Sequence, residues 1–198
     1  MNFQTHVFMG KVIVKAVNQR IAFPIKEKAF VAGHVLADYS PLMFLHPHLA
    51  VCSLDYVQRK ISMLSGIDLD MEALLGSDMP AFQMGMLTHY ICDFFCYAHS
   101  GVDFGNVREH LQYEDFLDNY RRTWAEELRG FDWGGQFEPL TSVEDIQDYL
   151  EKAVAAYNQG GQSVEKDLTL AMENSVRILL SVSRIRLTQK QAVLAWQV

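Results

Sequence analysis

Apolar side chains recur along this chain at steps of three and four residues, and nowhere do they alternate with polar ones over the length of a strand. The pattern predicts an all-α helix bundle. A first helix runs from Phe3 to about Asn18, and Pro24 interrupts the chain before a second from about Glu27 to Ala37. Asp38-Tyr39-Ser40-Pro41 breaks that helix. A third covers roughly Leu49 to Leu64, ends at Ser65-Gly66 and leads into a short acidic segment through Asp68, Asp70 and Glu72. In the central helix Asp78 is the expected N-cap and Pro80 sits in the first turn, where its missing N–H costs nothing; the apolar run continues to about Ala98. Gly101 and Gly105 mark a loop. Asn106 with Glu109 reads as a capping box opening a helix that ends near Gly130, and Thr141 with Glu144 opens another that stops near Gly160-Gly161. The last helix spans about Val164 to Ile185. With no internal repeat, low-complexity tract or linker, residues 1–198 read as a single domain.

Composition narrows the classes. A chain of 198 residues, 49% of them hydrophobic, can bury a substantial core, so a disordered chain is excluded. A net charge of -7, with 17 Lys and Arg residues scattered and no dense basic stripe, makes nucleic acid an unlikely partner without excluding it. The opening Met1-Asn2-Phe3-Gln4-Thr5-His6 lacks the features of a secretory signal, and no apolar run is long enough to span a membrane; a cytoplasmic location is the expectation. Cys52, Cys92 and Cys96 make no even disulfide framework. Cys92 and Cys96, four apart in an apolar helix, read as small core residues.

The chemistry lies in the histidines. All seven, at positions 6, 34, 46, 48, 89, 99 and 110, precede residue 111. His89 and Asp93 share one face of a very apolar helix, where a bare carboxylate would cost several kcal/mol, roughly, unless a cation or donors met it. A metal ion is one such partner; a hydrogen-bonded pair that satisfies the core is the other. His110 and Glu114 repeat the same spacing on the next helix, where a solvated surface pair is the alternative. His99 lies between the two pairs. Imidazole and carboxylate suit zinc at about 2.0 to 2.2 Å, and three protein ligands leave a position for water. His99, His110 and Glu114 make such a set, while His89 and Asp93 need completion by Asp38 and by His46 or His48. These two histidines flank Pro47 and point to opposite sides of an extended segment, so only one is expected to ligate; His48, directly before a helix, is favoured. His34, four before Asp38, reads as a non-ligand that hydrogen-bonds that carboxylate or is partly buried. His6 by itself reads as structural.

The pattern from His89 to Glu114, H-x3-D-x5-H-x10-H-x3-E, together with Thr5-His6 and with Asp38 after Gly33-His34, resembles the zinc-dependent phospholipase C family, within the phospholipase C and S1/P1 nuclease superfamily. The resemblance covers residues 5 to 114 and is closer to the bacterial phospholipase C branch. It implies three zinc ions in one cleft. One would be held by Asp38, His48 or His46, His89 and Asp93, and a second by His99, His110 and Glu114. The third would be bridged through Asp93 and held by His6 with, in the secreted prototypes, the amino and carbonyl groups of an N-terminal tryptophan. Met1 stands at the start of this chain instead, and His6 is nearer the start than in those prototypes, so two or three ions are expected.

The implied reaction is hydrolysis of a phosphoester, with a phosphodiester such as a phospholipid head-group linkage as substrate. Zinc lowers the pKa of bound water to about 7 and neutralises charge on phosphoryl oxygens. Asp38 would ligate or orient the attacking water as general base. A single-strand nuclease with the same metals would need an aromatic platform, for which Tyr39, Tyr90 and Phe104 are candidates. A helical binding domain that keeps the ligands only for folding is the non-enzymatic reading, and a metal site closed to water would favour it.

Overall fold

The computed structural model describes residues 1–22, 24–66, 78–100, 106–135 and 137–195. Among them are eight α-helices and no strand. In chain order they are α1 (Phe3–Asn18), α2 (Glu27–Leu36), α3 (Ala50–Gly66), α4 (Asp78–Phe94), α5 (Val107–Thr123), α6 (Ala125–Gly130), α7 (Val143–Gln159) and α8 (Val164–Ala195). The all-α bundle follows from the three- and four-residue apolar spacing. The acidic segment at Asp68, Asp70 and Glu72, the Gly101 to Gly105 loop and Phe104 lie outside the described residues.

Helix ends follow local chemistry. Asn2 caps α1 by accepting from Thr5 N–H. Asn106 and Glu109 form the reciprocal capping box expected at the start of α5. The cap of α7 is Ser142, accepting from Asp145 N–H, rather than Thr141. α8 continues ten residues beyond the expected end.

α4 stops at Phe94, short of the Ala98 expected from its apolar run. Its last turn tightens, with Phe95 N–H donating to Cys92 O and Cys96 N–H to Asp93 O, and Cys96 is extended. Tyr97 N–H is then taken by the carboxylate of Asp167 on α8 at 2.8 Å. The chain re-enters a single 3-10 turn at Tyr97–His99, which aims His99 differently from the residues of α4.

The core is built on α4, buried at 13 of its 17 positions and wrapped by α1, α2, α3 and α8. The closest helix pair is α2 on α4, and two glycines permit it. A Cβ at Gly33 would lie 2.0 Å from Phe82 O, and one at Gly85 would lie 2.0 Å from Phe30 O. The two backbones therefore touch directly, which sets His34 and the segment after α2 against His89 and Asp93. Cys92 and Cys96 are buried free thiols in this core, while Cys52 is exposed. No helix among the described residues is long and apolar enough to cross a membrane.

Candidate metal centre

Six short stretches bring titratable groups to one end of the bundle. α1 supplies His6 and holds Met1 beside it. The 3-10 turn Ala37–Tyr39 carries Asp38, and the segment leading into α3 carries His48. α4 supplies His89 and Asp93, the turn after it His99, and α5 His110 and Glu114.

Four of them meet around one point. His48 Nδ1 lies 3.1 Å from Asp38 Oδ1 and 3.2 Å from Asp93 Oδ2; His89 Nε2 lies 3.2 Å from each of the same oxygens and 3.0 Å from His48 Nδ1. A tetrahedral zinc with bonds of about 2.0 Å sets its ligands about 3.3 Å apart. Five of the six edges of such a tetrahedron are thus present at 3.0 to 3.2 Å. His89 Nδ1 donates to His34 O at 2.7 Å, which fixes the ring and aims Nε2 inward.

The second group is His99, His110 and Glu114. His99 Nε2 and His110 Nε2 lie 3.1 and 3.2 Å from Glu114 Oε1. Between the groups sits the amine of Met1, 2.7 Å from Asp93 Oδ1, 3.1 Å from Glu114 Oε1 and 3.0 Å from His99 Nε2. His6 Nε2 approaches Asp93 Oδ1 at 3.3 Å. Asp93 therefore faces two ways, Oδ2 toward His48 and His89, Oδ1 toward Met1 and His6.

The protonation pattern follows from this convergence of buried groups. Burial, reinforced by the neighbouring His89, pushes the His6 imidazole down to about 4, so it is neutral at pH 7. Its Nε2 and Asp93 Oδ2 are buried with no hydrogen-bond partner among the described residues. Burial also opposes ionisation of Asp93, yet His99, the Met1 ammonium, His6 and His89 hold its carboxyl well below the usual range. For His89 burial is outweighed by Asp93 and Asp38, which raise it to about 9. The Met1 amine, similarly opposed by burial, is held protonated chiefly by Asp93. Asp38 and Glu114, despite burial, are held ionised by the histidines on either side of them. Carboxylates and imidazoles converge on shared points. Zinc fits this donor set, since it takes the same nitrogens and oxygens at the spacing observed.

Of the two alternatives at Pro47, His48 joins the first group and His46 does not. Tyr90 O–H and Ser53 O–H donate to His46 O and Pro47 O, holding the segment so that the His46 ring stacks on Tyr56 with centroids 4.1 Å apart. The expectation that His34 bonds Asp38 or is only partly buried is corrected as well. His34 is fully buried and contacts His6 and Thr88 instead. α2 ends at Leu36 and passes into a 3-10 turn, whose larger rotation per residue carries Asp38 off the face of His34. Of the proposed aromatic platform, Tyr90 is buried and Tyr39 is 69% exposed. Thr88 and Asp167 were not read from the sequence. The Thr5-His6 pair was, through the resemblance alone.

The fold and centre define an all-α protein with two adjoining carboxylate–imidazole groups that could hold metal ions. The family model described as zinc dependent phospholipase C matches residues 5–160, and the chain belongs to that family. No curated protein and no solved structure matches the chain.

Proposed function

We propose that this protein is a zinc-dependent phosphoester hydrolase acting on a phosphodiester, with a phospholipid head-group linkage as the reference substrate. The observation that carries the proposal is the approach of two buried groups at the heart of the centre, His6 Nε2 and Asp93 Oδ1 at 3.3 Å, beside a near-tetrahedral set of Asp38, His48, His89 and Asp93. Family membership supports the zinc-hydrolase class.

In this reading Asp38, His48, His89 and Asp93 hold one ion, and His99, His110 and Glu114 a second. His6 and Asp93 hold a third. Zinc at such positions supplies hydroxide near neutral pH and neutralises phosphoryl charge. Asp38 has the further duty of orienting the attacking water. Its carboxylate, unlike that of Asp93, keeps about a third of its surface exposed, so it reaches solvent from the edge of the centre. His110 is also about a third exposed, so the second group opens to solvent too, which supports an enzyme over a metal site sealed for folding.

Metal analysis of the purified protein, with a screen of phosphocholine diesters, phosphate monoesters and single-stranded DNA, tests the reading. His99→Ala or His110→Ala is expected to remove about one zinc per chain and abolish diester hydrolysis; His48→Ala removes one ion and His46→Ala none. Unchanged zinc in both His99→Ala and His110→Ala refutes the ligand assignment. Preference for single-stranded DNA, with Tyr39 required, would instead assign a nuclease.

A further inference from the structure

Behind His6 runs a short polar chain through the α1, α2 and α4 interface. His6 Nδ1 is 3.3 Å from His34 Nε2, His34 Nδ1 is 2.9 Å from Thr88 Oγ1, and Thr88 Oγ1 is 3.0 and 3.1 Å from the carbonyls of Gly85 and Met84. All three side chains are fully buried.

The direction of each bond follows from the inventory of donors. A carbonyl only accepts, so the single hydroxyl proton of Thr88 goes to Gly85 O or Met84 O. Thr88 Oγ1 is then free to accept from His34, whose ring also hydrogen-bonds the Gly85 carbonyl, and both acceptors place the His34 proton on Nδ1. A neutral His34 protonated at Nδ1 has a bare Nε2, which can only accept, so His6 donates from Nδ1. That leaves His6 Nε2 as a lone pair, and it is this atom that faces Asp93 Oδ1.

We propose that His34 and Thr88 are positioning residues that lock His6 in the Nδ1–H tautomer and so present its Nε2 as a ready metal ligand. The inference rests on the reading that His6 and Asp93 share an ion. The scaffold packs closely around the ring of His34. A Cβ at Gly10 on α1 would come within 3.2 Å of its Cδ2, and the Gly33 and Gly85 approach brings Thr88 to it from α4. No other side-chain hydrogen bond of Thr88 is recorded among the described residues, so its hydroxyl is committed to this relay.

The tautomer is read directly from long-range proton–nitrogen NMR couplings of His6 in the metal-free wild-type protein near neutral pH. Protonation at Nδ1 is expected, and protonation at Nε2 overturns the proposal without any variant being made. Thr88→Val keeps the shape and removes the acceptor, while Thr88→Ser restores it. The valine variant is expected to weaken the His6-dependent zinc, followed by chelator competition, by about 10- to 100-fold, with the serine variant near wild type. His34→Gln, whose carbonyl accepts from His6, is expected to retain the ion, and His34→Leu to lose it. Wild-type affinity in both Thr88→Val and His34→Leu refutes the positioning role. A wild type with the expected tautomer but the same zinc content as His6→Ala counts against the three-ion reading instead and leaves the tautomer assignment standing.

Discussion

Gly85→Ala is the smallest change that separates the frame of the centre from its chemistry. The added methyl would sit 2.0 Å from Phe30 O, 2.7 Å from His34 N and 3.0 Å from Phe30 C. Ordinary carbon–oxygen contact begins at about 3.3 Å, so α2 and α4 must part by roughly 1 Å. The obstacle is helical backbone and cannot rotate away. Overpacking of this kind costs about 3 kcal/mol, at the upper end of the usual range. For a chain of this size that is a fall in Tm of about 6 to 12 °C.

The same displacement acts on the metal centre. His89 and Asp93 ride on α4, while Asp38 follows directly from α2, and zinc tolerates bond lengths within about 0.2 Å. Gly85→Ala is therefore expected to weaken zinc in the Asp38 group far more than in the His99 group, whose residues lie after α4 and on α5. Gly130→Ala, where the new Cβ meets nothing within 4 Å, is the control and should be neutral or slightly stabilising. Thermal unfolding and chelator-competed zinc titration read both effects. A Gly85→Ala protein that melts within 2 °C of wild type, roughly, and binds zinc unchanged would refute the claim that direct backbone contact sets the ligand spacing.

Two further outcomes follow. In the metal-free protein His6 titrates at about 4 against an unfolded value of 6.5, so the unfolded chain binds more protons between them and stability falls as pH drops through that window. His89, raised to about 9, and the Met1 amine act oppositely: their stabilisation is present below the unfolded values and is lost as pH rises through the folded ones. Urea midpoints of chelated protein should thus peak near pH 6.5, whereas zinc-loaded protein should still gain stability toward pH 8; a chelated protein that strengthens from pH 6.5 to 9 contradicts the assignment. Asp167→Ala removes the acceptor of Tyr97 N–H and of the hydroxyls of Tyr113 and Tyr157, now 2.8, 2.7 and 2.6 Å from its oxygens. It should cost about 3 kcal/mol and release zinc from the His99 group before the Asp38 group, measured by unfolding and stepwise chelation; equal loss from both groups would remove Asp167 from the positioning of His99.

What the chain spells out locally could be read, and what depends on distant contacts could not. The i, i+4 spacing of His89 with Asp93 and of His110 with Glu114 fixes shared helical faces, and both pairs meet as read. Asn106 and Glu109 declare the start of α5 for the same reason. The end of α4 is different. Nothing between Phe94 and His99 breaks a helix by propensity, and the break comes with a carboxylate some seventy positions later that captures Tyr97 N–H. Likewise the reading of His34 toward Asp38 assumed an unbroken helix, and the 3-10 turn at Ala37–Tyr39 rotated the carboxylate away. His6 shows no pattern of its own, since its partners come from α2 and α4. The extra turns of α8 follow a stretch of Thr, Gln and Lys in which apolar periodicity fades while helix propensity does not.

Asp93 explains how the centre holds together without an ion. A fully buried carboxylate is tolerable only if positive charge surrounds it, and the frame supplies that charge as protons on Met1 and His89, at 2.7 and 3.2 Å. Of those protons, the one on His89 Nε2 sits on an atom that the proposed centre assigns to an ion. In the proposed centre, loading would then be an exchange of protons for zinc on a framework already set by the Gly33 and Gly85 contact, rather than the assembly of ligands from a loose chain. His6 is the exception, because its relay through His34 and Thr88 leaves nothing to displace. The ion between His6 and Asp93 accordingly competes with no proton on the His6 ring near neutral pH, since burial holds that imidazole neutral.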